Sequence, residues 1–164
     1  MRLDLREIIE MPGGCIPFEC DLEDDNLDFP SVKGYKSLPH AVGEVYNEAG
    51  VLTLTGEITA EMVCICDRCG DEFESTKVTE LFATIVEEPN DDNPELFVLE
   101  GDEIDLSGIL STLFILDMET KFLCREDCKG LCSTCGKNLN LGPCACRKQL
   151  DPRFAVLEQL LDKN

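Results

Sequence analysis

The stretch Val51-Leu52-Thr53-Leu54-Thr55-Gly56-Glu57-Ile58 decides the fold. Its residues alternate in character with a period of two, so Leu52, Leu54 and Ile58 fall on one face and Thr53, Thr55 and Glu57 on the other, as a half-buried β-strand requires. Gly50 sets it off from a preceding β-rich run, Val42 to Asn47. Two more runs follow, Glu61 to Cys66 and Phe73 to Val86, the latter long enough for one strand or a pair. The expected core is an antiparallel sheet that curls into a small barrel or sandwich.

Outward from that sheet the signals are more mixed. Residues 1–10 set Leu3, Leu5 and Ile8 among charges and read as a first strand, ended by Met11-Pro12-Gly13-Gly14. Cys15 to Pro30 carries Ile16, Phe18, Leu22, Leu27 and Phe29 among acids, and fits a strand or an ordered loop. Cys15 and Cys20 read as isolated small hydrophobes. His40, the single histidine, is expected in an exposed loop without a partner. Asp105 is expected to cap a helix reaching Glu119, with Leu106, Ile109, Leu110, Leu113 and Phe114 on one face. Asp151-Pro152 opens a short last helix carrying Phe154, Leu157, Leu160 and Leu161. The fold class is therefore α+β, mainly β.

The chemistry is carried by cysteine. Of eleven cysteines, six (Cys124, Cys128, Cys132, Cys135, Cys144 and Cys146) fall in a stretch rich in Gly, Asn and Lys. Cys132-Ser133-Thr134-Cys135-Gly136 is a knuckle, in which two thiolates two residues apart can grip one tetrahedral ion while the glycine permits a tight turn. Cys132, Cys135 and Cys146 form the expected core of the ligand set, with Cys128 or Cys144 fourth, and soft all-thiolate donors point to structural zinc. Cys66-Asp67-Arg68-Cys69-Gly70 repeats the knuckle spacing inside the sheet region, so Cys66 and Cys69 are rival partners and Cys124 a lesser one. The same residues could instead form a turn held by hydrogen bonds alone. A redox dithiol would not need so many further thiols beside it. Four thiolates leave no position open for water, so a structural ion is expected here and no active site.

Composition limits the partners. Thirty-four acids against fourteen bases give a net charge of −20, which repels a polyanion on average. The stretch 121–148 is the exception, with six bases against two acids, so the rest of the chain stands at −24. Those bases could contact RNA or simply neutralise a zinc–thiolate centre. The organisation expected is an acidic β-rich body over 1–120 and a cysteine-rich zinc module with a last helix over 121–164. Residues 87–103 hold eight acids around the apolar run Leu96 to Leu99 and read as a solvated loop or a docking segment for a basic protein. Their spacing lacks the ligand order of a calcium loop. No charged-then-apolar leader and no long apolar run is seen, and an odd cysteine count does not suit full disulfide pairing, so a reducing cytoplasm without membrane contact is expected.

The run Leu123-Cys124-Arg125-Glu126-Asp127-Cys128-Lys129-Gly130-Leu131-Cys132, continuing through Cys135-Gly136-Lys137-Asn138-Leu139-Asn140 to Cys144-Ala145-Cys146 and Asp151-Pro152-Arg153-Phe154, resembles the YceD family of large ribosomal RNA subunit accumulation proteins. Cys64-Ile65-Cys66-Asp67-Arg68-Cys69 is similar to that family's shorter cysteine motif. The resemblance covers nearly the whole chain apart from residues 1–40. It implies a non-enzymatic factor needed for 23S ribosomal RNA to accumulate, hence ribosome biogenesis. Family members lacking the later cysteines imply that the metal module stabilises and is not the shared activity. Ser133 departs from the proline frequent at that place, which touches the rigidity of the turn and not the thiols. Joined to the charge, the resemblance implies an acidic adaptor for a basic ribosomal protein or an assembly intermediate, with the basic module in contact with ribosomal RNA. A cysteine-dependent nuclease or thiol redox enzyme is the alternative; it lacks a histidine beside a cysteine nucleophile.

Overall fold

The computed structural model describes residues 1–22, 27–87 and 96–146. Its elements in chain order are β1 (Arg2–Asp4), α1 (Arg6–Ile9), β2 (Cys15–Asp21), β3 (Val32–Tyr35), β4 (His40–Glu48), β5 (Val51–Ile65), β6 (Glu72–Val86), β7 (Phe97–Val98), β8 (Glu103–Asp105) and α2 (Leu106–Leu116). A six-stranded sheet runs in the order β2-β4-β5-β6-β7, with β3 also paired to β5. All its pairings are antiparallel except β6 with β7. Among the described residues the sheet is not closed into a barrel, and β1 and β8 form a separate antiparallel pair. The chain is mainly β, as the alternation of residues 51–58 predicts.

β5 is longer than its sequence suggests. Thr59-Ala60 continues the ladder instead of turning, so one 15-residue strand reaches Ile65 and faces β6 from Leu52↔Ile85 to Ile65↔Glu72. Leu52, Leu54, Ile58, Ala60, Met62 and Cys64 are buried along one face, with Leu81, Ala83 and Ile85 of β6 beside them. Phe18, Ala41 and Val45 extend that face across β2 and β4. Leu106, Ile109, Leu110 and Phe114 of α2 belong to the same core, and Phe29 meets Phe114 edge-on with ring centroids 6.3 Å apart. The helix ends at Leu116, short of Glu119, and Asp105 caps it without a side-chain hydrogen bond.

The N-terminal ten residues divide between two elements. Leu3 belongs to β1, but Leu5 and Ile8 are buried around the single turn of α1, which the strand reading of residues 1–10 missed. Buried Asn47 holds that turn: its Nδ2 donates to the carbonyls of Ile8 (2.7 Å) and Ile9 (2.9 Å), while its Oδ1 accepts from the N–H of Gly50 (2.8 Å). Truncation removes three hydrogen bonds; the Ile8 carbonyl keeps the Met11 N–H (3.1 Å), but the Ile9 carbonyl and the Gly50 N–H lose the amide, so Asn47→Ala is expected to cost about 2–3 kcal/mol in denaturant-unfolding measurements. An unchanged midpoint would show that water replaces the amide.

His40 is also not a loop residue without a partner. It opens β4 with Nδ1 2.7 Å from Asp21 Oδ1 and Nε2 3.4 Å from Glu19 Oε1. The hydrogen bond to Asp21 raises its pKa. A pKa raised on folding contributes stability that is present below the unfolded value and lost as pH rises through the folded one.

Residues Met1–Asp67 and Asp71–Cys124 make one compact unit, and Arg68–Gly70 with the chain from Arg125 onward make a second. The last helix expected from Asp151 lies outside the described residues. So do residues 88–95 of the acidic segment. Its apolar run is described, and Phe97 and Val98 pair with Ile85 and Val86 while Leu99 is buried.

Candidate metal centre

The loop between β5 and β6 is itself a knuckle. Cys66 donates its N–H to the carbonyl of Asp71 (2.9 Å), and Cys132 donates its own to Lys137 (2.9 Å), the same bond across five residues in both motifs. Gly70 and Gly136, each following the second cysteine, have φ of +72° and +71°, a region where a side chain is strained. Local sequence thus builds the same turn twice.

In the larger unit, Asp67 sets the approach of the later chain: its N–H donates to the Phe122 carbonyl (2.9 Å), and its Oδ2 accepts from the Phe122 N–H (2.6 Å). Oδ1 accepts from the Ser31 hydroxyl (2.6 Å). These bonds, the Ser31 hydroxyl foremost, hold the Asp67 pKa below its usual range. In the smaller unit, Arg68 donates to the Cys128 carbonyl (3.0 Å) and accepts through its own carbonyl from Leu131 N–H (3.1 Å). Asn140 bridges the same region. Its Nδ2 donates to Cys128 Sγ (3.3 Å) and its Oδ1 accepts from Lys129 N–H (2.8 Å). An amide donor to sulfur lowers the charge a thiolate must carry alone and fixes its direction.

Eight of the eleven thiols fall into two groups of four. The sulfurs of Cys66, Cys69, Cys124 and Cys128 lie within 4.8 Å of one another, and so do those of Cys132, Cys135, Cys144 and Cys146. Four sulfurs about a tetrahedral zinc, with bonds of about 2.3 Å, stand about 3.8 Å apart, so both groups fit such an ion with small adjustments. Of the residues singled out from sequence, Cys132, Cys135, Cys144 and Cys146 are brought together. Cys128 joins Cys66, Cys69 and Cys124 instead. Cys15, Cys20 and Cys64 stand outside both groups, Cys15 exposed, Cys20 half-buried and Cys64 buried, which leaves Cys15 and Cys20 isolated from the other thiols as read from the sequence.

The groups differ in exposure. Cys66, Cys69 and Cys128 are buried and Cys124 is half-buried, whereas Cys135 and Cys146 are exposed. In the second group Cys132 is held down to about 6 by the backbone N–H groups of Cys135 and Thr134 and by the Cys144 thiol, whose sulfur is 3.4 Å away. Cys146 is pushed up to about 12, chiefly by its hydrogen bond to Cys135. The turn therefore prepares one thiolate, and an arriving cation would displace the protons that remain. Lys137 of the basic stretch donates to the Pro143 carbonyl (3.0 Å), which braces the loop before Cys144. Arg147 and Lys148 lie outside the described residues.

A mainly β body bearing two knuckle-built sets of four cysteines defines a candidate thiolate-metal protein, with donors that suit a structural ion. Residues 54–161 match the family described as large ribosomal RNA subunit accumulation protein YceD, and the chain belongs to that family. Among relatives, an uncharacterized protein of Mycobacterium tuberculosis is 33% identical over 118 residues, covering 68% of this chain and 56% of the relative. The chloroplastic large ribosomal RNA subunit accumulation protein YCED homolog 1 of Zea mays is 24% identical over 137 residues (63% and 47%), and that of Arabidopsis thaliana 24% over 153 (73% and 47%). The aligned region thus spans about half the length of each relative. No solved structure matches. No helix among the described residues is long and apolar enough to cross a membrane.

Proposed function

We propose that this chain supports accumulation of large-subunit ribosomal RNA as a non-enzymatic assembly factor, an acidic adaptor that holds a basic ribosomal protein or an assembly intermediate. The observation that carries the reading is the family match over residues 54–161 in a chain of net charge −20. Such a charge opposes phosphate contacts and favours a cationic protein. Zinc occupies both cysteine sets as a structural ion, and the bases of the second set's stretch touch ribosomal RNA. The convergence of four sulfurs, where a redox dithiol needs two, supports metal over thiol exchange.

Affinity purification from cells, with identification of both protein and RNA, tests this. A basic ribosomal protein is expected to co-purify after nuclease treatment and to be released by raised salt. Retention that vanishes with nuclease, or salt-insensitive capture of naked RNA, would count against the adaptor.

A further inference from the structure

The sheet has a second face. Opposite the core, residues of β2, β4, β5 and β6 form rows across four strands, and one row reads Glu19, Val42, Glu57, Glu80. Glu57 and Glu80 stand directly opposite each other in the ladder, a like-charge pairing that destabilises a sheet. The next row contributes Glu44 and Phe82. Phe82 is 67% exposed, and Val42 and Val78 are exposed at 46% and 52%. The segments 15–21, 40–48, 51–59 and 78–86 contain no Lys or Arg. Their one base, His40, is engaged by Asp21. Among the described residues, no Lys or Arg pairs with Glu44, Glu57 or Glu80.

We infer that this outer face, centred on Val42, Glu57, Glu80 and Phe82, is the docking surface for a cationic polypeptide whose basic side chains alternate with apolar ones. The inference rests on the adaptor reading and locates it. Exposed apolar side chains set between carboxylates need a partner that supplies both apolar contact and positive charge. RNA would place phosphates against the glutamates. A second copy meeting face to face would oppose the same acids, so the occupant is a different chain. An incoming cation also removes the Glu57–Glu80 conflict, giving the bound state a gain that the free protein lacks.

The test titrates the full-length, metal-loaded, ¹⁵N-labelled chain with a synthetic peptide alternating Lys and Val. Amide shifts are expected at Val42, Glu57, Val78, Glu80 and Phe82. Glu57→Gln with Glu80→Gln should weaken binding about tenfold, and Phe82→Ser about fivefold. Glu7→Gln with Glu10→Gln removes the same charge from exposed positions on and beside α1 and should change it less than about twofold. The first pair should also raise the melting temperature, which separates lost docking from lost folding. Equal weakening by both pairs overturns the surface, as do concentration-dependent shifts of this face without peptide, or contacts from residues 147–164 to Phe82 in the free chain. Shifts confined to residues 87–103 overturn this face and leave the adaptor reading standing. No binding at all overturns both.

Discussion

Stripping metal from the purified chain with a strong chelator is expected to abolish amide protection over residues 125–146 while leaving the ladder β4-β5-β6 protected. Within 125–146 only Cys128 and Gly130 are buried, and Leu131 and Leu141 are exposed at 48% and 83%. That stretch therefore has no apolar core to fall back on. Structural zinc contributes about 10–16 kcal/mol of apparent binding energy in small peptides, far more than the scattered hydrogen bonds of two loops. The sheet has its own core and does not depend on the ion. Metal affinity should fall as pH falls, because protons compete for the same sulfurs. Cys132 is held at about 6 in the metal-free turn, and its thiolate is lost as pH drops through that value. Two ions per chain by metal analysis, with loss on acidification, is the expected result; a rigid 125–146 segment after verified removal would dismiss structural zinc.

Gly43→Ala is expected to lower stability by about 2–3 kcal/mol, the upper end of the usual cost of overpacking. Gly43 and Gly56 face each other across β4 and β5. A Cβ on Gly43 would stand 2.2 Å from the Thr55 carbonyl oxygen and 2.6 Å from Phe18 Cζ, and one on Gly56 would stand 2.3 Å from the Val42 carbonyl oxygen. The obstacles are mainly backbone, so side-chain repacking cannot clear them. Gly34 is the control within the same sheet. Nothing lies within 4 Å of its Cβ position, and Gly34→Ala should stay within about 0.5 kcal/mol of the parent. Equal unfolding midpoints for the two variants would mean that the strands separate freely at Gly43.

The strands were legible because period-two alternation states directly which side chains are buried; Leu52, Leu54 and Ile58 lie where residues 51–58 place them. Boundaries were less so. Thr59-Ala60 is polar and small enough to suggest a break, yet both residues stay paired with β6 and Thr59 also with β4, so the strand continues through them. Around Leu5 and Ile8 the chain is too short for period two and period 3.6 to differ, and burial by the sheet selected the turn. Both knuckles could be read, because Cys-x-x-Cys-Gly is a local pattern. The grouping of Cys128 with Cys66 and Cys69 could not, since it depends on Arg68 and Asn140, whose bonds join positions 60 and 12 residues away from them. A partner for His40 was also hidden, because Asp21 lies nineteen residues earlier and meets it only through β2–β4 pairing.

The pairing of β1 with β8, Arg2 against Asp105, closes a loop of about a hundred residues. The meander from β4 to β6 joins neighbours in the chain, so it can zip up early, whereas that closure carries the larger entropic penalty and must wait. During synthesis Arg2–Asp4 would thus stay without this partner until β8 has left the ribosome, so that the clasp shuts later than the meander it encloses.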